Sequence, residues 1–360
     1  MPAQRGYGEP EIIVTQSFRG RSFRLLIPGA VLFSAVVGCR PDPGAKTTPH
    51  TPILLYCSVD ETLARIVLKR YEAQTGVSVS TIFDSEAGKT TGLVNRIMRE
   101  AEGSPRADLF WSSELFHTIL LARRGVLESY DSPAAGDIPS RFRDANRYWT
   151  AMAVRARVIA FDPTKIARAD LPTRWEELAE PRFASVSTIA NPLFGTTHGH
   201  IAAMFALWGP SKGRLFLNAL RDGGALISDS NSATVRAVAG GRAKIAVTDT
   251  DDVWVARRSG DSLELRYLDM GDGGTLLVPC SVAVLRGGPN PIGARKLVDF
   301  LVSAEVERML ARSDSRHVPV RASLRHELGM DWPPESQVGF EAVADAMDEA
   351  AAAVREILIR

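Results

Sequence analysis

The chain has 360 residues, with 43 lysines and arginines against 42 aspartates and glutamates, for a net charge of +1. Hydrophobic residues make up 45% and charged residues 24%, the composition of a soluble globular protein with room for two domains. The balanced charge, with no basic stripe carrying interleaved aromatics, argues against nucleic acid as a partner.

Arg19, Arg21 and Arg24 lead into an apolar run from Leu25 to Val37, which closes on Val36-Val37-Gly38-Cys39. A basic flank, a short apolar core and a small residue before a cut describe a secretory signal. The run is shorter than the ~18–20 residues that cross a bilayer. Val-Val-Gly-Cys matches the lipobox of bacterial lipoproteins, so residues 1–38 read as a signal peptide and Cys39 as a lipidated N-terminus. The expected location is the cell envelope, outside the cytoplasm and anchored to a membrane by lipid. Residues 39–52, rich in Pro and Thr, read as a tether. Cys57 and Cys280 remain, both in apolar strand-like surroundings; a disulfide and two buried free thiols are both open.

Strand and helix patterns then alternate. Ile53–Cys57 predicts a buried strand, and Asp60 caps a helix carrying Leu63, Ile66, Val67 and Tyr71 on one face, stopped by Gly76. Val77–Phe83 and Ala107–Trp111 read as strands, Thr91–Glu102 and Glu114–Arg124 as helices. This order argues for a mainly parallel sheet covered on both faces. A Pro/Asp-rich stretch from Ser132 to Asp144 breaks the rhythm. A second unit follows, with strands at Ala153–Phe161, Val186–Ala190, Ala225–Ser228 and Lys244–Thr248. Its helices fall at Trp175–Leu178, His200–Trp208, Lys212–Leu220, Ser232–Ala239 and Asp251–Arg258. Thr275–Leu285 is a further strand, Ile292–Arg312 one amphipathic helix, and Val338–Ile359 the closing helix.

Open parallel sheets bind ligands beyond the carboxyl ends of their strands, where loops lead into helix N-termini. Six such junctions here are rich in oxygen-bearing side chains. Three lie in the first unit, with Ser58 and Asp60, then Asp84, Glu86 and Thr91, then Ser112 and Glu114 as candidate ligand contacts. The second unit offers Asn191, Gly195, Thr196 and Thr197, then Asn231 and Ser232, then Asp249, Asp251 and Asp252. Any single Ser, Thr, Asp or Asn at such a place also serves as an N-cap. A cap needs one such residue, however, and Thr248-Asp249-Thr250-Asp251-Asp252 sets five in a row with three carboxylates. Their mutual repulsion requires a cation or compensating donors nearby. Around these junctions the carboxylates Asp60, Glu61, Asp84, Glu86, Glu114, Asp229, Asp249, Asp251 and Asp252 face Lys89 as the one fixed positive charge, with His198 and His200 titratable. That surplus favours a cationic ligand. Trp111 and Trp254 flank the same junctions, as core packing or as platforms for an organic ammonium.

Ala107-Asp108-Leu109-Phe110-Trp111-Ser112-Ser113-Glu114, Ala190-Asn191-Pro192-Leu193-Phe194-Gly195-Thr196-Thr197 and Ala246-Val247-Thr248-Asp249-Thr250-Asp251-Asp252 carry a family resemblance. Over roughly Pro52 to Arg321 the chain is similar to the extracellular solute-binding proteins of ABC transporters, in particular the ferric-iron-binding class. The resemblance implies an α/β fold of the two-lobe type II periplasmic-binding-protein kind. Each lobe would be a mainly parallel sheet flanked by helices, joined by crossover hinge strands and closing on a ligand. Lobe 1 would comprise residues 53–150 and 275–322, lobe 2 residues 151–274, and residues 323–360 a helical extension. In the family's ferric binders an adjacent Tyr-Tyr pair holds the iron, and the position that corresponds here is Asp251-Asp252.

The expected function is therefore the substrate-binding lipoprotein of an ABC importer, a monomer working with permease and ATPase subunits. Its cargo would be a small cationic solute, ferric iron (Fe3+) first, with or without a small anion, held by Asp251, Asp252 and Glu86. An organic ligand of the thiamine, polyamine or phosphonate type is the alternative cargo. An envelope ligand sensor or a hydrolase on the same fold is the alternative of another class. No Gly-x-Ser-x-Gly elbow and no His-Glu-x-x-His motif occurs, so no catalytic residue or catalytic cofactor is expected.

Overall fold

The computed structural model describes residues 52–85 and 88–359; Cys39 with the signal and tether, and Glu86, lie outside them. Among the described residues no helix is long and apolar enough to cross a membrane.

The first unit runs β1 (Ile53–Cys57), α1 (Glu61–Thr75), β2 (Val79–Phe83), α2 (Thr91–Ala101), β3 (Leu109–Ser112), α3 (Phe116–Arg123) and the short β4 (Leu127–Glu128). Helix α1 buries Leu63, Ala64, Val67, Leu68 and Tyr71, the three-and-four spacing of one helical face. A long strand, β5 (Thr150–Phe161), then leads to α4 (Pro181–Ala184), β6 (Ser187–Ala190), α5 (Gly195–Trp208), α6 (Pro210–Asp222) and β7 (Leu226–Ser228). Next come α7 (Asn231–Ala239), β8 (Ile245–Asp249), α8 (Thr250–Arg258) and β9 (Glu264–Tyr267). The chain returns through β10 (Leu277–Leu285) to α9 (Pro291–Leu301), α10 (Ala304–Arg312), α11 (Ala322–Leu328) and α12 (Phe340–Ile357).

The strands order as β2-β1-β3-β10-β5-β8-β6-β7, with β4 beside β10 and β9 beside β5. Parallel pairing joins β2, β1 and β3 on one side and β8, β6 and β7 on the other. Between them β10 and β5 run antiparallel to their neighbours. All twelve residues of β5 are buried; residues from Thr150 to Ala156 pair with β10, and those from Arg157 to Phe161 pair with β8. One strand thus belongs to both halves, as a crossover strand in a two-lobe clamshell must.

Two large apolar cores match the halves, one around Ile53, Leu55, Phe110 and Leu297, the other around Phe161, Ile201, Phe205 and Leu217. Helix α12 buries Val343, Met347, Ala350, Val354 and Ile357 and joins the second core against α5 and α6, while also touching α3. The stretch read as one helix from Ile292 to Arg312 is two: Val302 and Ser303 separate α9 from α10, and Ser303 Oγ caps α10 by accepting from the Val306 N–H at 3.3 Å. Helix α5 starts five residues earlier than its apolar run, because Gly195, Thr196 and Thr197 are buried at its N-terminus.

Candidate functional site

A cleft of about 380 Å³ lies between the halves, and all six junctions reach it. The first unit contributes Asp60, Lys89 and Ser113; the second contributes Asn191 with Gly195, Thr196 and Thr197, then Asn231 and Ser232, then Asp249, Asp251 and Asp252. Ten of the expected contacts therefore line one groove.

Five expected residues lie off that groove with partners of their own. Asp84 accepts from the Leu93 N–H at 3.1 Å and the Ser85 N–H at 3.0 Å. Glu114, fully buried, accepts from the Phe116 N–H at 2.7 Å and meets His117 Nδ1 at 2.7 Å. Ser112 Oγ donates to the Glu114 carbonyl at 2.6 Å. Ser58 Oγ accepts from the Ser113 N–H at 2.9 Å. Thr91 Oγ1 reaches the Leu193 carbonyl at 3.4 Å. Asp60 precedes α1 but makes no side-chain cap; it pairs with Lys89 instead, which outweighs the burial that opposes its ionisation and lowers its pKa. Trp111 is fully buried in the core, and Trp254 sits between Arg257 and Arg316, so neither lines the groove.

The charge count from sequence needs correction. Arg155 and Arg157 stand on β5, 5% and 0% exposed, and answer the carboxylates of the second unit. Arg157 Nη1 donates to Asp249 Oδ1 at 2.7 Å, and Arg155 Nη1 donates to Asp251 Oδ2 at 2.9 Å while standing 3.6 Å from Asp249. Arg155 Nη2 also donates to the Ser113 carbonyl of the opposite half. The signal was present: two arginines two residues apart in an apolar strand share one face, and buried charges need partners.

Asp249 is saturated. Its second oxygen accepts from Thr196 Oγ1 at 2.6 Å and Asn231 Nδ2 at 2.9 Å, and it forms a capping box with Asp252 at the start of α8. Burial resists its ionisation, yet Arg157 and Arg155 hold it below the usual carboxylate range. Asp251 and Asp252 go the other way: burial raises both, reinforced for Asp251 by Asp249 against the pull of Arg155, and for Asp252 by Asp251 and Asp249. Oδ1 of Asp251 is buried and has no partner, although the residue lines the cleft. Acidic oxygens of Asp249, Asp251 and Asp252 lie within 4.8 Å of one another; with Asp249 taken up by its own partners, Asp251 Oδ1 and Asp252 are the oxygens suited to a hard cation. His317 stands 3.9 Å from Asp251, and burial, with Arg155, lowers its pKa to about 3, so it adds no charge at neutral pH.

The halves touch across the groove. The Gly195 N–H donates to the Lys89 carbonyl at 3.0 Å, with Gly195 at φ +52°, a conformation open to glycine at little cost. Next to Lys89, Thr90 adopts φ +67°, strained for a β-branched residue. Hydrogen bonds from its hydroxyl to Ser58 at 3.1 Å and with Ser113 at 3.2 Å hold it there.

Comparison with known proteins places these features in context. Residues 104–340 match the family model described as bacterial extracellular solute-binding protein. Iron uptake protein A1 of Synechocystis sp. is 25% identical over 317 residues, 85% of this chain and 86% of that protein. The major ferric iron-binding protein of Neisseria meningitidis is 26% identical over 273 residues, 74% of this chain and 80% of that one. Among solved structures, iron-bound HitA from Pseudomonas aeruginosa superposes with a TM-score of 0.74 at 23% identity, covering 85% of this chain and 99% of its own. AfuA from Actinobacillus pleuropneumoniae, with fructose-6-phosphate bound, gives 0.72 at 19% identity, covering 86% and 98%. At these identities the structural likeness is one of fold.

Proposed function

Because the chain belongs to the bacterial extracellular solute-binding protein family, we propose that it is the receptor subunit of an ABC importer, taking ferric iron as cargo between two closing lobes. The observation that carries the cargo reading is the convergence of three carboxylates within 4.8 Å at the cleft, with Oδ1 of Asp251 unpartnered. A relative named for iron uptake and one named for ferric iron binding support the same choice. Asn191 and Ser232 add an amide and a hydroxyl group beside the carboxylates, suited to a small anion accompanying the metal. Lobe 1 would comprise residues 53–150 with 275–322 and lobe 2 residues 151–274, the tail from 323 bracing lobe 2 through α12. Lipidation at Cys39 would tether the receptor at the envelope membrane, where it would meet its permease and ATPase as a monomer.

Capture at micromolar affinity needs about 8 kcal/mol. Charge-assisted contacts contribute roughly 1.5–3 kcal/mol each, so three to five of them, less the cost of closing, suffice. Each lobe brings part of the set, and cargo favours the closed state by bridging them.

One observation favours an organic cargo as a second reading. The cleft of about 380 Å³ exceeds what a bare ion fills, and among the described residues no tyrosine lines it. Native mass spectrometry with elemental analysis of protein taken from its own envelope separates the two. One iron per chain, lost in an Asp251→Asn/Asp252→Asn variant, supports the ferric reading. An organic mass adduct without metal replaces it.

A further inference from the structure

We infer that Arg155 and Arg157 are specificity-determining residues that keep divalent cations out of the cleft; this rests on the reading of the carboxylate cluster as the cargo site. Three aspartates whose oxygens lie within 4.8 Å of one another would, left alone, resemble the oxygen-rich, acidic sites that take calcium or manganese. An envelope receptor meets such ions in excess of any scarce cargo.

The two guanidinium groups change that composition. They project from alternate residues of β5, one face of one strand, and end 2.7 Å from Asp249 and 2.9 Å from Asp251. Neither arginine can lose its charge. Counted as fully ionised, the three carboxylates against the two guanidinium groups leave a single formal negative charge on the cluster, with Asp229, Asp261 and Arg236 elsewhere on the groove wall. Asp60 and Lys89, facing it from the other lobe, neutralise each other.

Arg155 also decides which oxygen is offered. It holds Oδ2 of Asp251 and leaves Oδ1, buried and unpartnered, on the cleft-lining residue. Asp251 thus has one unpartnered oxygen, enough for monodentate but not for bidentate binding of calcium. Lowering every cation's affinity together leaves above threshold only the cargo whose affinity for these groups is intrinsically highest. Rejection by a built-in repulsive element is a general route to specificity.

The test is calorimetric titration of the purified protein with calcium chloride, manganese chloride and ferric citrate. Wild-type protein is expected to bind calcium and manganese more weakly than about 1 mM. Arg155→Gln should tighten both by about tenfold or more, since it removes a positive charge in contact with the cluster. Adding Asp251→Asn to that variant restores the single negative charge and should return the affinity to the wild-type level. Asn191→Asp adds a carboxylate at the cleft with both arginines in place, and should also gain divalent affinity if Arg155→Gln does not fold. Micromolar binding of calcium or manganese by wild type, or variants that gain nothing, overturns the inference. Failure of wild type to bind ferric citrate, with divalent behaviour as expected, instead counts against ferric iron as cargo and leaves the charge argument standing.

Discussion

Arg157 and Asp249 face each other in register across β5 and β8, and their side chains close a 2.7 Å ion pair with neither residue exposed. This pair joins the crossover strand to the first residue before α8, so the cleft floor and the hinge share one contact. Removing one partner of such a pair leaves a buried charge unanswered, at a cost of about 3–5 kcal/mol. Arg157→Met should therefore lower the unfolding free energy by that amount in urea titrations. A loss under 1 kcal/mol would mean that water or Arg155 takes over the role.

Closure should depend on Gly195. An alanine in the left-handed region that its φ of +52° occupies costs roughly 1–2 kcal/mol. Because its N–H meets the Lys89 carbonyl across the groove, that penalty is expected to fall on a closed, cargo-bound state. Gly195→Ala should weaken cargo binding by about 5–30-fold with little change in the melting temperature of the cargo-free protein. Equal destabilisation with and without cargo would contradict the assignment.

A stability change with pH is expected from Glu307 on α10. Burial pushes its carboxyl up to about 7, against the opposing effect of Arg321 at 3.1 Å. The folded chain then binds this proton more tightly than the unfolded chain. Stability from this group is fully present below about pH 4.5 and is lost as pH rises toward 7, by up to ~3 kcal/mol. Glu307→Gln should remove that slope between pH 5 and 7.5 when unfolding free energies are compared with wild type. Parallel curves for the two proteins would rule it out.

Cys57 and Cys280 should stay reduced. Strand β3 lies between their strands: Cys57 aligns with Trp111, and Trp111 with Val282. Two strand spacings of ~4.8 Å separate β1 from β10, beyond the ~7 Å limit for a disulfide. Both thiols are buried and free, and burial raises the Cys280 pKa to about 12 and that of Cys57 further. Iodoacetamide at pH 8 should modify neither in the folded protein and both in guanidinium, read by mass spectrometry. A loss of two hydrogens from the intact mass would disprove this.

Much of the fold was legible because its signals are local. The apolar spacing of Leu63, Val67 and Tyr71 marks α1, and the β-branched run Val77–Phe83 marks β2. The break at Ser303 escaped, since its cap interrupts an apolar pattern that continues in phase on both sides. Strand β9, from Glu264 to Tyr267, escaped too: Glu264 and Arg266 give it a polar pattern, and only pairing with β5 makes it a strand.

The amino-acid order by itself determined the sequence and type of most helices and strands, and it brought acidic and hydroxyl residues to the strand–helix junctions. Both follow from interactions within a few residues of each other. Which junction residue reaches the cleft was decided by the tertiary structure: Lys89 rather than Asp84, Ser113 rather than Ser112 or Glu114. The balance of charge was decided there as well, because Arg155 and Arg157 meet their aspartates across 96 and 92 residues of chain. An ion pair over that separation depends on strand register and lobe packing, and neither is written in local periodicity.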